Sequence, residues 1–566
     1  MLVYGDRIRR ETAGALLERI EAMLADAEAA PLWIVRHEQR VAALIEAGRL
    51  AQGLADAAFA ARGLDDRAAA PDAAMSLCRR LAEAVMASLQ STSSGTPAGG
   101  LDEALQASNR LRAAAALAEE VEVKTPEGYA YYALYPETYG LAARGVEAPA
   151  VLGLRSIGTS LAAMAAAGSG AETLVTARPC GHPFARELKL SPELAAELAG
   201  GAAVIDEGPG LSGSSFGAAA DLLERIGVPP ERQWYFPSHL GEPGSMACEQ
   251  RRERWASLRK RHITFEAFAL KSARPLASWF EDQVGQPTGP LEDLSGGLWR
   301  ARLGADAPVH AAQARRKYLL HTNRGDFLLK FSGLGTAASD KVARAEALHA
   351  AGFIPEPLAL RHGFLLQRWE GTARPLPSTR LDREALMDVL GRYLAFRAER
   401  FPARAEDGAT PAELVEMAAY NAGLLLGEAA SAPVRARLSP LASARLKPVR
   451  IDGRMHAWEW LVLPDGQILK ADALDHDDAH DLVGCQDILW DLAGAQVELG
   501  LTPREAERLC ARLGAEPSLL PAFEVAYLAF QAGAWTLALD GAAAADRPAI
   551  ERLLTGYRAR LAQRLA

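Results

Sequence analysis

The residues with the clearest chemical potential lie at 202–217, AAVIDEGPGLSGSSFG, where a hydrophobic run ends in Asp206 and Glu207 and a loop of small residues leads into a helical pattern through Leu223 and Ile226. Glycine and serine let backbone N–H groups converge on a phosphate at a helix N-terminus, where the dipole favours an anion, and serine hydroxyls add donors. Gly208, Gly210, Ser212, Gly213, Ser214 and Ser215 are therefore the candidate phosphate-binding residues. Two carboxylates beside a phosphate would repel it, so Asp206 and Glu207 must face another part of the ligand, either vicinal ribose hydroxyls or a magnesium ion. Capping alone would also place serine and aspartate before a helix. Residues 213–217 (GSSFG) match the GxSxG nucleophile elbow in form only, because an elbow serine follows its strand directly and Ser215 lies well past Ile205.

Such a loop needs a strand before it and a helix after it. Between residues 121 and 268, short β-rich runs alternate with alanine-rich stretches: 150–154 (AVLGL), 172–177 (ETLVTA), 202–206 (AAVID), 233–238 (QWYFPS) and 263–270 (ITFEAFAL). This alternation predicts an α/β unit with a mostly parallel sheet. Residues 8–89 carry helical spacing, as in Ala13, Leu16, Leu17, Ile20 and Leu24, and 101–120 read as another helix. The unperiodic stretches 90–100 (QSTSSGTPAGG) and 285–297 (GQPTGPLEDLSGG) read as linkers. Residues 317–331 predict a hairpin turning around Asn323 to Gly325, and 383–401 and 411–427 predict helices.

The middle region resembles the type I phosphoribosyltransferases, whose loop for phosphoribosyl diphosphate follows a hydrophobic strand and two acids with a Thr-Gly-x-Thr stretch. Asp206 and Glu207 match the acids, and Ser212, Gly213, Ser214 and Ser215 match the stretch, with serine for threonine and one extra residue in the loop. The resemblance implies a diphosphate loop at 151–160, where Arg155 and Ser156 would contact diphosphate, and a mobile basic loop after Arg178, including His182, Arg186 and Lys189. It also implies an acceptor-binding hood at 126–140, with Tyr131 and Tyr132 stacking on a planar base. Asp206, Glu207 and Arg178 would be catalytic, and Mg2+ would be held at Asp206 and Glu207.

From about Leu298 the sequence resembles the aminoglycoside phosphotransferase and protein-kinase-like superfamily. Residues 327–331 (FLLKF) look like the strand carrying the nucleotide-binding lysine, which implies Lys330, with Glu346 as its ion-pair partner and 365–371 (LLQRWEG) as the hinge. Asp472 in 468–481 (ILKADALDHDDAHD) falls at the metal-binding position, within a cluster that includes Asp475, His476, Asp477, Asp478, His480 and Asp481. In 487–494 (DILWDLAG) an Asp would support the catalytic loop. That loop, 452–460 (DGRMHAWEW), places Arg454 where the catalytic Asp belongs and Glu459 where a metal-binding Asn belongs, so a base is missing unless Asp452 or Glu459 substitutes.

The chain has 566 residues, which exceeds the limit of about 250–300 for one hydrophobic core and implies division into domains. With 49% hydrophobic and 23% charged residues it is not a disordered or collagenous chain, and 62 Lys plus Arg against 71 Asp plus Glu give a net charge of -9, with no general attraction to nucleic acid. Five scattered cysteines suggest neither a disulfide framework nor a zinc ribbon, and fit a cytoplasmic location. The charged N-terminus does not read as a signal peptide. The apolar stretch 525–539 is shorter than the roughly 20 residues that span a bilayer, so no membrane partner is expected.

The expected fold is multidomain α/β and α+β: a helical N-terminal region over 1–120, a parallel-sheet phosphoribosyltransferase-like domain over 121–284, and a two-lobed kinase-like domain over 298–566. The expected activity is Mg-dependent transfer of a phosphoribosyl group from phosphoribosyl diphosphate to a small nitrogenous acceptor, with ATP as a further candidate ligand. The alternatives are a small-molecule kinase, or a noncatalytic phosphoribosyl-ligand sensor with a pseudokinase domain.

Overall fold

The computed structural model describes residues 1, 8–90, 101–303, 307–379, 382–477 and 482–566. Most of the expected linker, 91–100, lies outside the described residues, as do Asp478, His480 and Asp481.

The apolar spacing of the N-terminal region produces the helices Ala13–Ala29, Trp33–Arg62, Ala69–Gln90 and Leu101–Ala114. Thr12 caps the first by accepting the N–H of Ala15 at 3.2 Å, and Gly63 ends the second in the left-handed conformation that glycine adopts without steric cost. The region also contains a strand that sequence spacing did not predict, Ile8–Thr12, paired antiparallel with Glu120–Lys124. The described residues of 1–120 share their core with later parts of the chain. One hydrophobic core runs from Leu16 and Leu44 through Leu81 and Leu161 to Phe268, Phe331 and Phe364, joining all three parts of the chain.

The α/β expectation corresponds to a parallel sheet with the order Thr173–Ala177, Ala150–Leu154, Ala202–Ile205, Gln233–Phe236. Successive side chains alternate between faces: Val151, Ala203 and Ile205 enter the large core, while Leu152, Leu154 and Val204 pack with Phe216 and Leu223 on the other side. Both faces are covered, which explains why these strands read as continuous apolar runs. The fifth predicted strand, 263–270, is instead a π-helical turn over Glu266–Leu270. Phe265, Phe268 and Ala269 face inward at helical spacing, and the Thr264 hydroxyl accepts the N–H of Ala267 at 3.1 Å.

The predicted hairpin consists of Lys317–Thr322 and Gly325–Phe331. It lies in an antiparallel sheet with the order Pro357–Arg361, Phe364–Arg368, Gly325–Phe331, Lys317–Thr322, Glu292–Asp293. The last strand comes from the segment expected to be a linker, so the sheet begins before residue 298. Beyond it, the helices Arg383–Arg400, Pro411–Leu426, Leu489–Glu498 and Leu520–Asp540 surround a second core containing Tyr393, Met417, Trp490 and Tyr527. Residues Pro517–Asp540 are long and apolar enough to cross a membrane, longer than the 525–539 stretch suggested, and 83% of their most apolar window is buried within this core.

Candidate functional site

Two places in the fold gather the candidate residues, and the first is a cleft. It lies against the antiparallel sheet. Thr322 pairs with Gly325, and counting back along the hairpin places Lys317 directly opposite Lys330. Two ammonium groups side by side on one sheet face repel each other unless a counter-ion joins them. Asp472 supplies it: its carboxylate pairs with Lys330 through Oδ1 and lies 3.6 Å from Lys317 through Oδ2. Lys330 also pairs with Asp475, whose other oxygen is 2.6 Å from Lys341 Nζ. Burial alone would favour the neutral amine of Lys330, but Asp472 and Asp475 outweigh it and hold the ammonium above the ordinary lysine range. Burial pulls Lys317 below that range, with Lys330 adding to the shift against Asp472. Asp472 is held well below the usual carboxylate range because Lys330 and Lys317 outweigh burial.

Glu346 is not the partner of Lys330. On the helix Thr336–Ala350 the buried positions are Ala338, Lys341, Arg344, Ala345 and Leu348, and this phase turns Glu346 to solvent. Lys341 occupies the inward position instead. Lys317 and Lys341 were both missed by motif comparison, although hairpin register and helix phase pointed to them.

The catalytic-loop equivalent is tightly held. The Asp491 carboxylate accepts the N–H groups of Asp452 at 2.7 Å and Gly453 at 2.9 Å. Asp452 is fully buried; it accepts the Tyr393 hydroxyl and lies 3.2 Å from Lys470 Nζ, so it is unavailable as a base. Arg454 and Glu459 line a cavity of about 170 Å³ together with Lys317, Lys330, Asp472 and Trp535. Burial raises the Glu459 carboxyl above its ordinary value, against the opposing charge of Lys470. Arg454 is a cation at the position where a base would be needed. Asp472 offers oxygen donors of the kind Mg2+ takes, one or two carboxylates completed by substrate phosphates. Tyr131, expected as an acceptor-stacking residue of the middle domain, lines this same cleft, with the Arg315 guanidinium 4.7 Å from its ring centre.

The second lies at the carboxyl ends of the parallel strands. Asp206 and Glu207 follow the strand Ala202–Ile205, and the helix Ser214–Arg225 opens after Gly213, which has φ 65°. Burial pushes the Asp206 acid up to about 7. Glu207 accepts the Gly128 N–H at 3.2 Å, and the Tyr139 hydroxyl donates to the Asp206 carbonyl at 3.0 Å. Gly210 is exposed, while Gly208, Ser156 and Ser215 are half-buried. The hydroxyls of Ser212 and Ser214 both reach the Pro183 carbonyl, at 3.3 and 2.7 Å, which folds the turn after Cys180–His182 over the loop. Tyr132 is 41% exposed.

Arg155 does not offer its charge to a diphosphate. It is 5% exposed, and its guanidinium pairs with Asp56 at 2.8 Å and with Asp65. Arg178 donates from Nε to Asp56 at 2.7 Å and from its backbone N–H to Asp65 at 2.7 Å, and burial lowers it to about 10. A buried guanidinium requires a counter-charge. Here the N-terminal region supplies it, from positions about a hundred residues away in the chain, which no motif could indicate.

No protein-family model matches the sequence, and no curated protein sequence matches it. Among solved structures, the chain is similar to choline kinase LicA from Streptococcus pneumoniae, with 16% identity and a TM-score of 0.32 over 44% of this chain and 89% of that one. It is similar to a choline/ethanolamine kinase family protein from Mesorhizobium loti, with 19% identity and a TM-score of 0.31 over 49% of this chain and 88% of that one. It is also similar to spectinomycin phosphotransferase APH(9)-Ia, with 13% identity and a TM-score of 0.34 over 51% of this chain and 93% of that one.

Proposed function

We propose that the chain is a Mg-dependent phosphotransferase that binds ATP in the cleft of Lys330 and transfers its terminal phosphoryl group to a small molecule. The observation that carries this reading is the meeting of Lys317, Lys330 and Asp472 inside one cleft. Lys330 and Lys317 bind nucleotide phosphates, and Asp472 holds the cation. Bound Mg2+ neutralises charge on the phosphates. Glu459 is the carboxylate with raised proton affinity facing the cavity, and it takes the acceptor hydroxyl proton while Arg454 steadies the phosphoryl oxygens. ADP release measured across a panel of small hydroxylated amines tests this reading. Glu459→Gln is expected to leave nucleotide affinity within about twofold and to cut turnover by about 10²- to 10⁴-fold, the usual contribution of a positioned base. Undiminished turnover would remove Glu459 from the mechanism, and a wild-type chain that binds no MgATP would reject the reading.

A second reading, phosphoribosyl transfer in the middle unit, is favoured by one observation. The chain order of the parallel strands reverses between Ala150–Leu154 and Ala202–Ile205, and ligands of open α/β sheets bind outside the carboxyl ends of the strands at such a switch. Asp206, Glu207 and the loop from Gly208 to Ser215 follow one of those two strands. Diphosphate release from phosphoribosyl diphosphate is expected to disappear in the double variant Asp206→Asn, Glu207→Gln. Release at the wild-type rate would exclude these acids.

A further inference from the structure

One buried cluster has no part in either candidate site. His37 on the helix Trp33–Arg62, Glu137 on the helix Pro136–Ala143, and His362 in the turn after the strand Pro357–Arg361 converge from three distant parts of the chain. Their exposures are 0%, 0% and 2%. His37 Nε2 lies 2.9 Å and His362 Nε2 lies 2.6 Å from the same oxygen, Oε1 of Glu137. One candidate ligand atom from each residue falls within a sphere of contacts no longer than 4.8 Å.

Hydrogen bonding explains only half of this arrangement. A carboxylate has acceptor sites on both oxygens, and two donors gain most by dividing between them. Here both imidazoles address Oε1, and among the described residues neither Glu137 Oε2 nor His362 Nδ1 has a hydrogen-bond partner. A bare carboxylate oxygen in a dry interior is costly. We propose that His37, Glu137 and His362 bind one Zn2+, with the two Nε2 atoms and both carboxylate oxygens as its four donors.

The surroundings suit a metal of this type. Two imidazoles and a carboxylate form a nitrogen and oxygen set that zinc takes readily. His37 Nδ1 is 3.1 Å from Ser88 Oγ, a contact that orients the ring and leaves Nε2 free to ligate. Trp33 stacks on His37 with ring centres 5.1 Å apart, and Trp279 packs against His362 at 5.3 Å, so the cluster is walled by aromatic surface. With zinc–nitrogen bonds of about 2.0–2.1 Å and the chelating carboxylate filling one broad vertex, each imidazole nitrogen sits roughly 3 Å or more from the carboxylate oxygens, so the contacts of 2.9 and 2.6 Å lengthen by a few tenths of an ångström to admit the ion. The ion would staple the N-terminal helices, the middle unit and the antiparallel sheet into their shared core.

The test uses the full chain, equilibrated with Zn2+ and then passed into metal-free buffer. About one zinc per chain is expected to remain in the wild type, and less than about a tenth of that in Glu137→Gln and in His362→Gln. Loading with Co2+ in place of zinc is expected to give the visible absorption of a four-coordinate ion, a readout that needs no variant to fold. A wild-type chain that retains no stoichiometric zinc and shows no such Co2+ spectrum would overturn the proposal. Zinc retained undiminished in both folded variants would overturn it too.

Discussion

Lys330→Met is expected to weaken MgATP binding about ten- to a hundredfold, the loss that follows from deleting a charge-assisted hydrogen bond worth about 1.5–3 kcal/mol. The substitution keeps the side-chain stem of a residue that is 4% exposed, and removes only the ammonium. Deleting one member of a buried ion pair normally strands the other in a low-dielectric interior. Here the network limits that damage. Asp472 retains Lys317 at 3.6 Å, and Asp475 retains Lys341 at 2.6 Å. The variant should therefore keep its fold and lose its ligand, a combination that calorimetric titration together with a thermal melt distinguishes from simple unfolding. Unchanged affinity in a folded Lys330→Met chain would contradict the placement of the phosphates.

Arg397→Leu should have the largest effect on stability. Its guanidinium is fully buried and donates to the carbonyls of Ile451 at 2.7 Å, Ala473 at 3.0 Å and Arg450 at 3.2 Å, and to the Tyr393 hydroxyl at 2.9 Å. It thereby ties the segment before Asp452 to the segment carrying Asp472 and Asp475. Leucine fills part of the volume but leaves these acceptors without a donor, and it removes the cation that offsets Asp452 and Asp491. Burial and the neighbouring Asp452 already push the Asp491 acid up to about 6 against that offset. A loss of about 3–5 kcal/mol is expected, as for other broken buried charge networks. Set against a typical domain stability of about 5–15 kcal/mol, that is enough to move the denaturant midpoint of the carboxy-terminal unit substantially. Arg397→Lys keeps the charge but cannot span several acceptors with a planar fork, so an intermediate loss is expected. Equilibrium unfolding in urea would measure both, and a change in Arg397→Leu below about 1 kcal/mol would show that the network does not hold the loop.

The two sites differ in how much of them could be read before the fold was seen. The hairpin around Asn323 was legible because alternation and turn chemistry are local, and its register alone sets Lys317 opposite Lys330. The strand, acids, small-residue loop and helix at 202–225 were legible for the same reason. Motif position points to Glu346, but the phase of the helix turns Lys341 inward instead. The segment 263–270 differs from the expected strand because a short apolar run has no decisive period, and the burial of Phe265 and Phe268 fits a helical turn. Residues 285–297 have linker composition, yet Glu292 and Asp293 pair with the sheet, since glycine and proline content shows where a chain can bend and not whether it finds an edge.

What the amino-acid sequence determined by itself was local: which residues form strands and helices, where the acids end a strand, and which lysines share a hairpin. The tertiary structure alone decided which charges meet. Arg155 and Arg178 face Asp56 and Asp65 instead of an open loop, Tyr131 joins the cleft of Lys330, and His37, Glu137 and His362 meet although the chain separates them widely. The physical reason is that a periodic pattern reports on neighbours within a few residues. The cost of burying a charge, and the partner that offsets it, depend on segments brought together only by a shared core.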